Sequence, residues 1–227
     1  HSVGARIAGD LYMSPLIRAP TFYIAIVNNF QIHQPKSYQE VPWRNGLGKT
    51  LVLLSEPNPG CDSGSGAFVY RLSIAGVASN GPFSRFDDCD RTLVLLDGKG
   101  LTLTHSNGQV DELRTRFAEA RFPGDIETVA TLQHGPVRDF NVICHRHHCS
   151  AKVTVLGHDG SNRLDVNSDV LLAYAVDGPA RILPRGGPPV RIDYRDLLQC
   201  KDPPHGRWIF SGGPVIVVQI QYQPAAQ

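Results

Sequence analysis

TLVLLDGKGLTLT (92–104) and LLAYAVDGPARIL (171–183) carry the same pattern twice. An apolar strand runs into Asp-Gly, a two-residue spacer follows, and a second strand begins. Asp-Gly between alternating apolar runs is a hairpin signal, because a type I′ turn needs positive φ at both central residues. About three dozen residues beyond each turn comes Gly-Pro-Val and another strand, GPVRDFNVI from Gly135 and GPVIVVQIQY from Gly213. Two signals in one order at nearly one separation argue for duplication. The expected fold is all-β, two β-barrels or jelly rolls in tandem, with the break near 146–152. The boundaries read as an N-terminal extension (1–29), a first barrel holding a pocket (30–148) and a second, structural barrel (149–227).

Working outward, strand patterns dominate. FVYRLSIA (68–75) puts Phe68, Tyr70, Leu72 and Ile74 on one face and Val69, Arg71 and Ser73 on the other. Helix evidence is thin; VDELRTRFAEA (110–120) is the best candidate. Gly and Pro, 22 and 17 of 227 residues, suit many short strands and turns. Lys and Arg (22) nearly balance Asp and Glu (21), which leaves no basic field for nucleic acid. No apolar run approaches the roughly 18–20 residues of a membrane span. Five cysteines without a regular framework suggest reduced thiols and a cytoplasmic home. His1 in place of Met reads as a cloning remnant or a processed start, with Met13 a candidate natural initiator.

The repeat supplies an internal control, since positions polar in one copy and apolar in the other are candidates for function. Aligned on Asp-Gly, Asp90 and Arg91 match Val170 and Leu171. Aligned on Gly-Pro-Val, Asp139 matches Val217 and Asn141 matches Gln219. A charge on a strand buried on both faces is costly unless paired. Two explanations follow at even weight: an internal Arg–Asp network, or a polar pocket in the first barrel. Arg71 and Arg91 on inward faces would suit a small anionic ligand, since a guanidinium fork matches a carboxylate.

Five motifs then occur in a familiar order: PWRNGLGKT (42–50), YRLSIAGVASNGPFSRF (70–86), DRTLVLLDGKGLTL (90–103), FPGD (122–125) and GPVRDFNV (135–142). As a set the chain resembles the HutD/Ves family over about residues 32–222. The resemblance implies a bicupin, two cupin-like barrels in one chain, whose genes accompany histidine-utilisation enzymes. It implies binding of a small pathway intermediate, such as urocanate or N-formimino- or N-formylglutamate, to moderate catabolic flux.

The candidate ligand-binding residues are Trp43, Arg44, Asn45, Arg71, Ser73, Ser84, Arg91, Asp139 and Asn141. Trp43 would be an apolar wall, Arg44 and Asn45 a rim, and Ser84 a hydroxyl that both donates and accepts. A metal-binding cupin needs His-x-His, a Glu and a further His. GPFSRF (81–86) has no histidine and His105 stands alone on its strand, so no metal or cofactor is expected there. CHRHHC (144–149) has the composition of a zinc tract without a second ligand pair at finger spacing. No nucleophile elbow occurs. The partners expected are a small anionic metabolite, neither nucleic acid nor membrane, and a second copy through an exposed sheet. Two other readings stay open: a hydrolase or isomerase with Asp139 as base and the arginines as clamps, and a purely structural or interaction module.

Overall fold

Alternation decides which side of each strand is buried, and two rounds of it build the molecule. The computed structural model describes residues 30–43, 48–59, 61 and 64–224. In chain order the strands are β1 (Phe30–His33), β2 (Gln39–Pro42), β3 (Gly48–Pro57), β4 (Phe68–Val77), β5 (Gly81–Pro82), β6 (Cys89–Asp97), β7 (Leu101–His105), β8 (Val110–Leu113), β9 (Glu119–Pro123) and β10 (Thr128–Leu132). They continue with β11 (Val137–His145), β12 (Cys149–Leu156), β13 (Arg163–Val166), β14 (Val170–Ala175), β15 (Ala180–Leu183), β16 (Val190–Ile192), β17 (Leu197–Lys201), β18 (Gly206–Gly212) and β19 (Val215–Tyr222). The helix candidate at 110–120 spans β8 and the start of β9. The β-pairing of Val110–Thr104 and of Ala120–Leu93 overrides its weak helical pattern.

Strand order exposes the duplication. A six-stranded sheet (β2-β3-β4-β11-β6-β9) faces a four-stranded one (β5-β10-β7-β8). A five-stranded sheet (β1-β17-β14-β19-β12) faces another of four (β13-β18-β15-β16). Each neighbour relation within β4–β11 recurs, eight strands on, within β12–β19. The fold is therefore a tandem of two cupin-like barrels.

Three apolar layers hold it together. Val77, Leu93, Leu95, Leu101, Leu103 and Val137 fill the first barrel. Leu171, Ala173, Ile182, Trp208, Phe210 and Val217 fill the second. Between the two large sheets, Tyr70, Leu72, Ile74, Phe140 and Val142 meet Leu172, Tyr174, Ile216, Val218 and Ile220. The even face of β4 thus packs on the neighbouring barrel, and its odd face, with Arg71 and Ser73, turns into its own.

Two expectations need correction. Asp97-Gly98 and Asp177-Gly178 do not close hairpins. β6 is held between β11 and β9 while β7 lies between β10 and β8, so the chain crosses from one sheet to the facing one; β14 and β15 repeat the crossing. Only Gly98 of the first pair has positive φ (106°), and a Cβ there would lie 2.7 Å from the Pro136 carbonyl oxygen. The boundary at residue 30 also moves. β1 pairs with β17, Phe30 opposite Cys200 and His33 opposite Leu197, so this strand completes the second barrel's sheet. The Tyr38 hydroxyl then donates to the carbonyls of His33 (3.0 Å) and Arg195 (2.6 Å) before the chain enters the first barrel.

Candidate functional site

The first barrel's inward face carries a row of polar side chains because three neighbouring strands hold them in register. Arg71 on β4 and Arg91 on β6 both lie opposite Ile143 on β11. Two strand spacings separate their backbones, about 10 Å. One step deeper, Asn141 is opposite Ser73 and Leu93; one further, Asp139 is opposite Ala75 and Leu95.

Arg91, Asn141 and Asp139 form one hydrogen-bonded chain. Arg91 donates from Nε (2.8 Å) and Nη2 (2.5 Å) to Asn141 Oδ1, and Asn141 Nδ2 donates to Asp139 Oδ1. The Arg91 guanidinium lies 4.7 Å from the centre of the Phe83 ring and 5.5 Å from that of Phe122, an aromatic cover that leaves it 8% exposed. Two atoms are left over: Asp139 Oδ2 and Arg71 Nε are buried and have no hydrogen-bond partner among the described residues.

Burial controls the electrostatics. Desolvation pushes the Asp139 carboxyl up to about 6, against the opposing pull of Arg91 and of the Asn141 hydrogen bond. Desolvation also brings Arg91 down to about 10, with Asp139 opposing the shift and Arg71 adding to it. Arg71 is lowered by desolvation as well. An acid whose folded pKa lies above its ordinary 3.8 stabilises the fold most when protonated; that contribution is present below 3.8 and is lost as pH rises through about 6. Asp139→Asn, which keeps the shape and cannot ionise, should therefore gain on the wild type by on the order of 3 kcal/mol between pH 4 and pH 7. Denaturant unfolding of both proteins across that window tests it. A stability difference that stays flat with pH would refute the assignment.

The other candidates are placed differently. Ser73 is buried beside Asn141. Trp43 is half-buried and packs with Phe83 on the first barrel's core, its indole N–H donating to Thr50 Oγ1 at 2.9 Å. Ser84 is exposed on the loop after Phe83, away from the chain of hydrogen bonds. Arg44 and Asn45 lie outside the described residues. Asp90 is also separate: it faces out and joins Asp125 of FPGD in pairing with Arg146, at 3.2 and 2.6 Å.

The pairing register revises the comparison between copies. With Asn141 and Gln219 equivalent, their neighbours Leu93 and Leu171 are equivalent too. Arg91 therefore corresponds to Asp169, not Leu171. Aligning on Asp-Gly misplaced β14 by two residues, because the link beyond β14 is longer. The second barrel is also not wholly apolar at its mouth, where a cleft of about 330 Å³ opens.

His105 is buried and committed, Nδ1 to Thr128 Oγ1 (2.9 Å) and Nε2 to Asp111 Oδ2 (3.0 Å). In the 144–149 tract, Cys144 and Cys149 point into the layer between the barrels, while His145 lies against His148 with ring centres 4.6 Å apart. Among the described residues no three His, Cys, Asp or Glu side chains are grouped to hold a metal ion. No helix among them is long and apolar enough to cross a membrane.

A family model described as HutD matches residues 35–212. The chain belongs to the HutD family. Two curated proteins and a solved structure are similar to it. An uncharacterized 21.2 kDa protein in the hutC 3′ region of Pseudomonas putida is 28% identical over 175 residues, covering 77% of this chain and 88% of that one. Protein Ves of Citrobacter koseri is 37% identical over 114 residues, half of this chain and 56% of its own. The structure of HutD from Pseudomonas fluorescens SBW25, from a formate condition, superposes with a TM-score of 0.72 at 23% identity, over 86% of this chain and all of that one.

Proposed function

We propose that this HutD-family bicupin binds a small carboxylate in the mouth of its first barrel, without a metal, and through that binding moderates histidine catabolism. The observation that carries the reading is a charge imbalance: two largely buried guanidiniums, Arg71 and Arg91, line one face with a single buried carboxylate, Asp139, and that carboxylate acts on Arg91 and not on Arg71. Excess buried positive charge is costly, and an anion that pairs with the open side of Arg71 offsets it. Urocanate and N-formimino- or N-formylglutamate are the candidate ligands, because a HutD relative is a protein of the hutC region.

Arg71 provides the clean test, since its Nε leaves no protein group orphaned when it is removed. Arg71→Ala should weaken calorimetric binding of these carboxylates by roughly ten- to a hundredfold, the worth of a charge-assisted hydrogen bond. Unaltered affinity in a folded variant would sink the reading. A second reading is favoured by Asp139: a buried carboxylate with an open oxygen and a pKa near 6 is suited to act as a general base. Under it the protein is a cupin-type hydrolase or isomerase. Turnover of one of these compounds, abolished in Asp139→Asn, would replace binding by catalysis.

A further inference from the structure

The duplicated fold gives the second barrel a polar mouth of its own. On β12, Ser150 and Lys152 share a face with Leu156, which packs inside the second barrel. On β19, Gln219 and Gln221 share the face of Val215 and Val217. Asn167 and Ser168, between β13 and β14, close the space, and the cleft so formed holds about 330 Å³. That volume is at the low end of small-molecule sites.

The groups around it are chiefly donors. The Gln219 Oε1 is already used, accepting the Asn167 backbone N–H at 3.0 Å, which leaves its amide hydrogens for something else. Ser168 is 3% exposed, yet its Oγ has no partner among the described residues. A buried hydroxyl is rarely left in that state. Lys152 is exposed and makes no ion pair among the described residues, so its ammonium is available at the rim. Two carboxylates border it: Asp165, within 3.5 Å of Arg207 Nε, which offsets its charge, and Asp169, whose Oδ2 accepts from the Gln221 amide (2.7 Å) and the Tyr222 backbone N–H (2.6 Å). By register, Gln219 and Lys152 occupy the positions of Asn141 and Ser73 in the first barrel.

We propose that the second barrel is a binding site in its own right, taking a small monocarboxylate between the Lys152 ammonium, the Gln219 amide and the Ser168 hydroxyl. It does not depend on the reading of the first barrel. One cation and neutral donors suit a single negative charge, and a lysine is a point charge without the geometric demand of an arginine fork.

Titration with L-lactate, followed by residue-resolved NMR of the whole protein, tests the site. Saturable shifts are expected at Asn167, Ser168 and the Gln219 side-chain amide. Lactamide, the neutral isostere, should leave them in place. Lys152→Met should weaken the response by about tenfold or more, and Lys152→Arg should retain it. Lys152 is exposed, so neither change threatens the fold. The Asn141 amide signals report the first barrel separately, and their behaviour bears on that site alone. The proposal is overturned if lactate leaves the three signals unmoved, if lactamide moves them equally, or if Lys152→Met titrates like the wild type.

Discussion

Arg91→Ala is expected to cost about 3–5 kcal/mol of folding stability at neutral pH, the loss seen when one partner of a buried charged network is removed. The guanidinium holds Asn141 by two hydrogen bonds, and Asn141 in turn holds Asp139, which is fully buried. Without Arg91 the carboxylate loses its nearby compensating charge, and Phe83 and Phe122 lose the group they cover. Removing Arg91 raises Asp139 further, and protonation relieves most of the penalty, so the deficit should shrink as pH falls towards about 6 and stay small below it. Unfolding in urea at pH 7 and at pH 4.5 measures both values. A deficit under 1 kcal/mol at pH 7, or one that grows in acid, would show that the network is not charged as drawn.

An equally large effect is expected far from that network. Phe140 is on the opposite face of β11 from Asp139 and Asn141, fully buried between the large sheets, its ring centre 5.6 Å from that of Tyr174 in the other barrel. Phe140→Ala should cost about 3–5 kcal/mol through lost burial and the cavity left behind. For a protein of this size the melting temperature should fall by roughly 10 °C. Because Phe140 belongs to the layer joining the barrels, calorimetry should also resolve a broader transition as their unfolding separates. Val110→Ala, at a position 54% exposed on β8, is the control and should change little. A Phe140 variant that melts like this control would mean the barrels hardly support each other.

Much of this was legible in the residues, for definite reasons. Alternation in FVYRLSIA separates Tyr70 and Leu72 from Arg71 and Ser73, and a strand has no third option for its side chains. The two Gly-Pro-Val segments align β11 with β19 directly, and that alignment already sets one amide, Asn141, over another, Gln219. The Asp-Gly pairs were less informative, because turn chemistry reports a reversal without saying which sheet the chain enters next. That is why Asp169 was missed as the counterpart of Arg91, and with it the polar mouth of the second barrel. Ser84 is a candidate on its hydroxyl alone, which can donate and accept, and its neighbour Phe83 turns out to be the one that reaches the network. It is the aromatic ring, and not the hydroxyl, that meets Arg91. The covering role of Phe122 depends on β9 pairing beside β6, a relation between strands some thirty residues apart that no local pattern announces.

The crossing of β1 carries a consequence for how the chain is made. Residues 30–33 leave the ribosome long before their partners, Leu197–Cys200. Until β17 emerges β1 has no strand to pair with, and until it docks the outer edge of β17 is an open row of amides and carbonyls. Such an edge invites pairing with other chains. Ordered assembly of the second barrel thus waits on a segment that was ready first, and release of a chain cut short before Leu197 would leave Phe30–His33 without its seat.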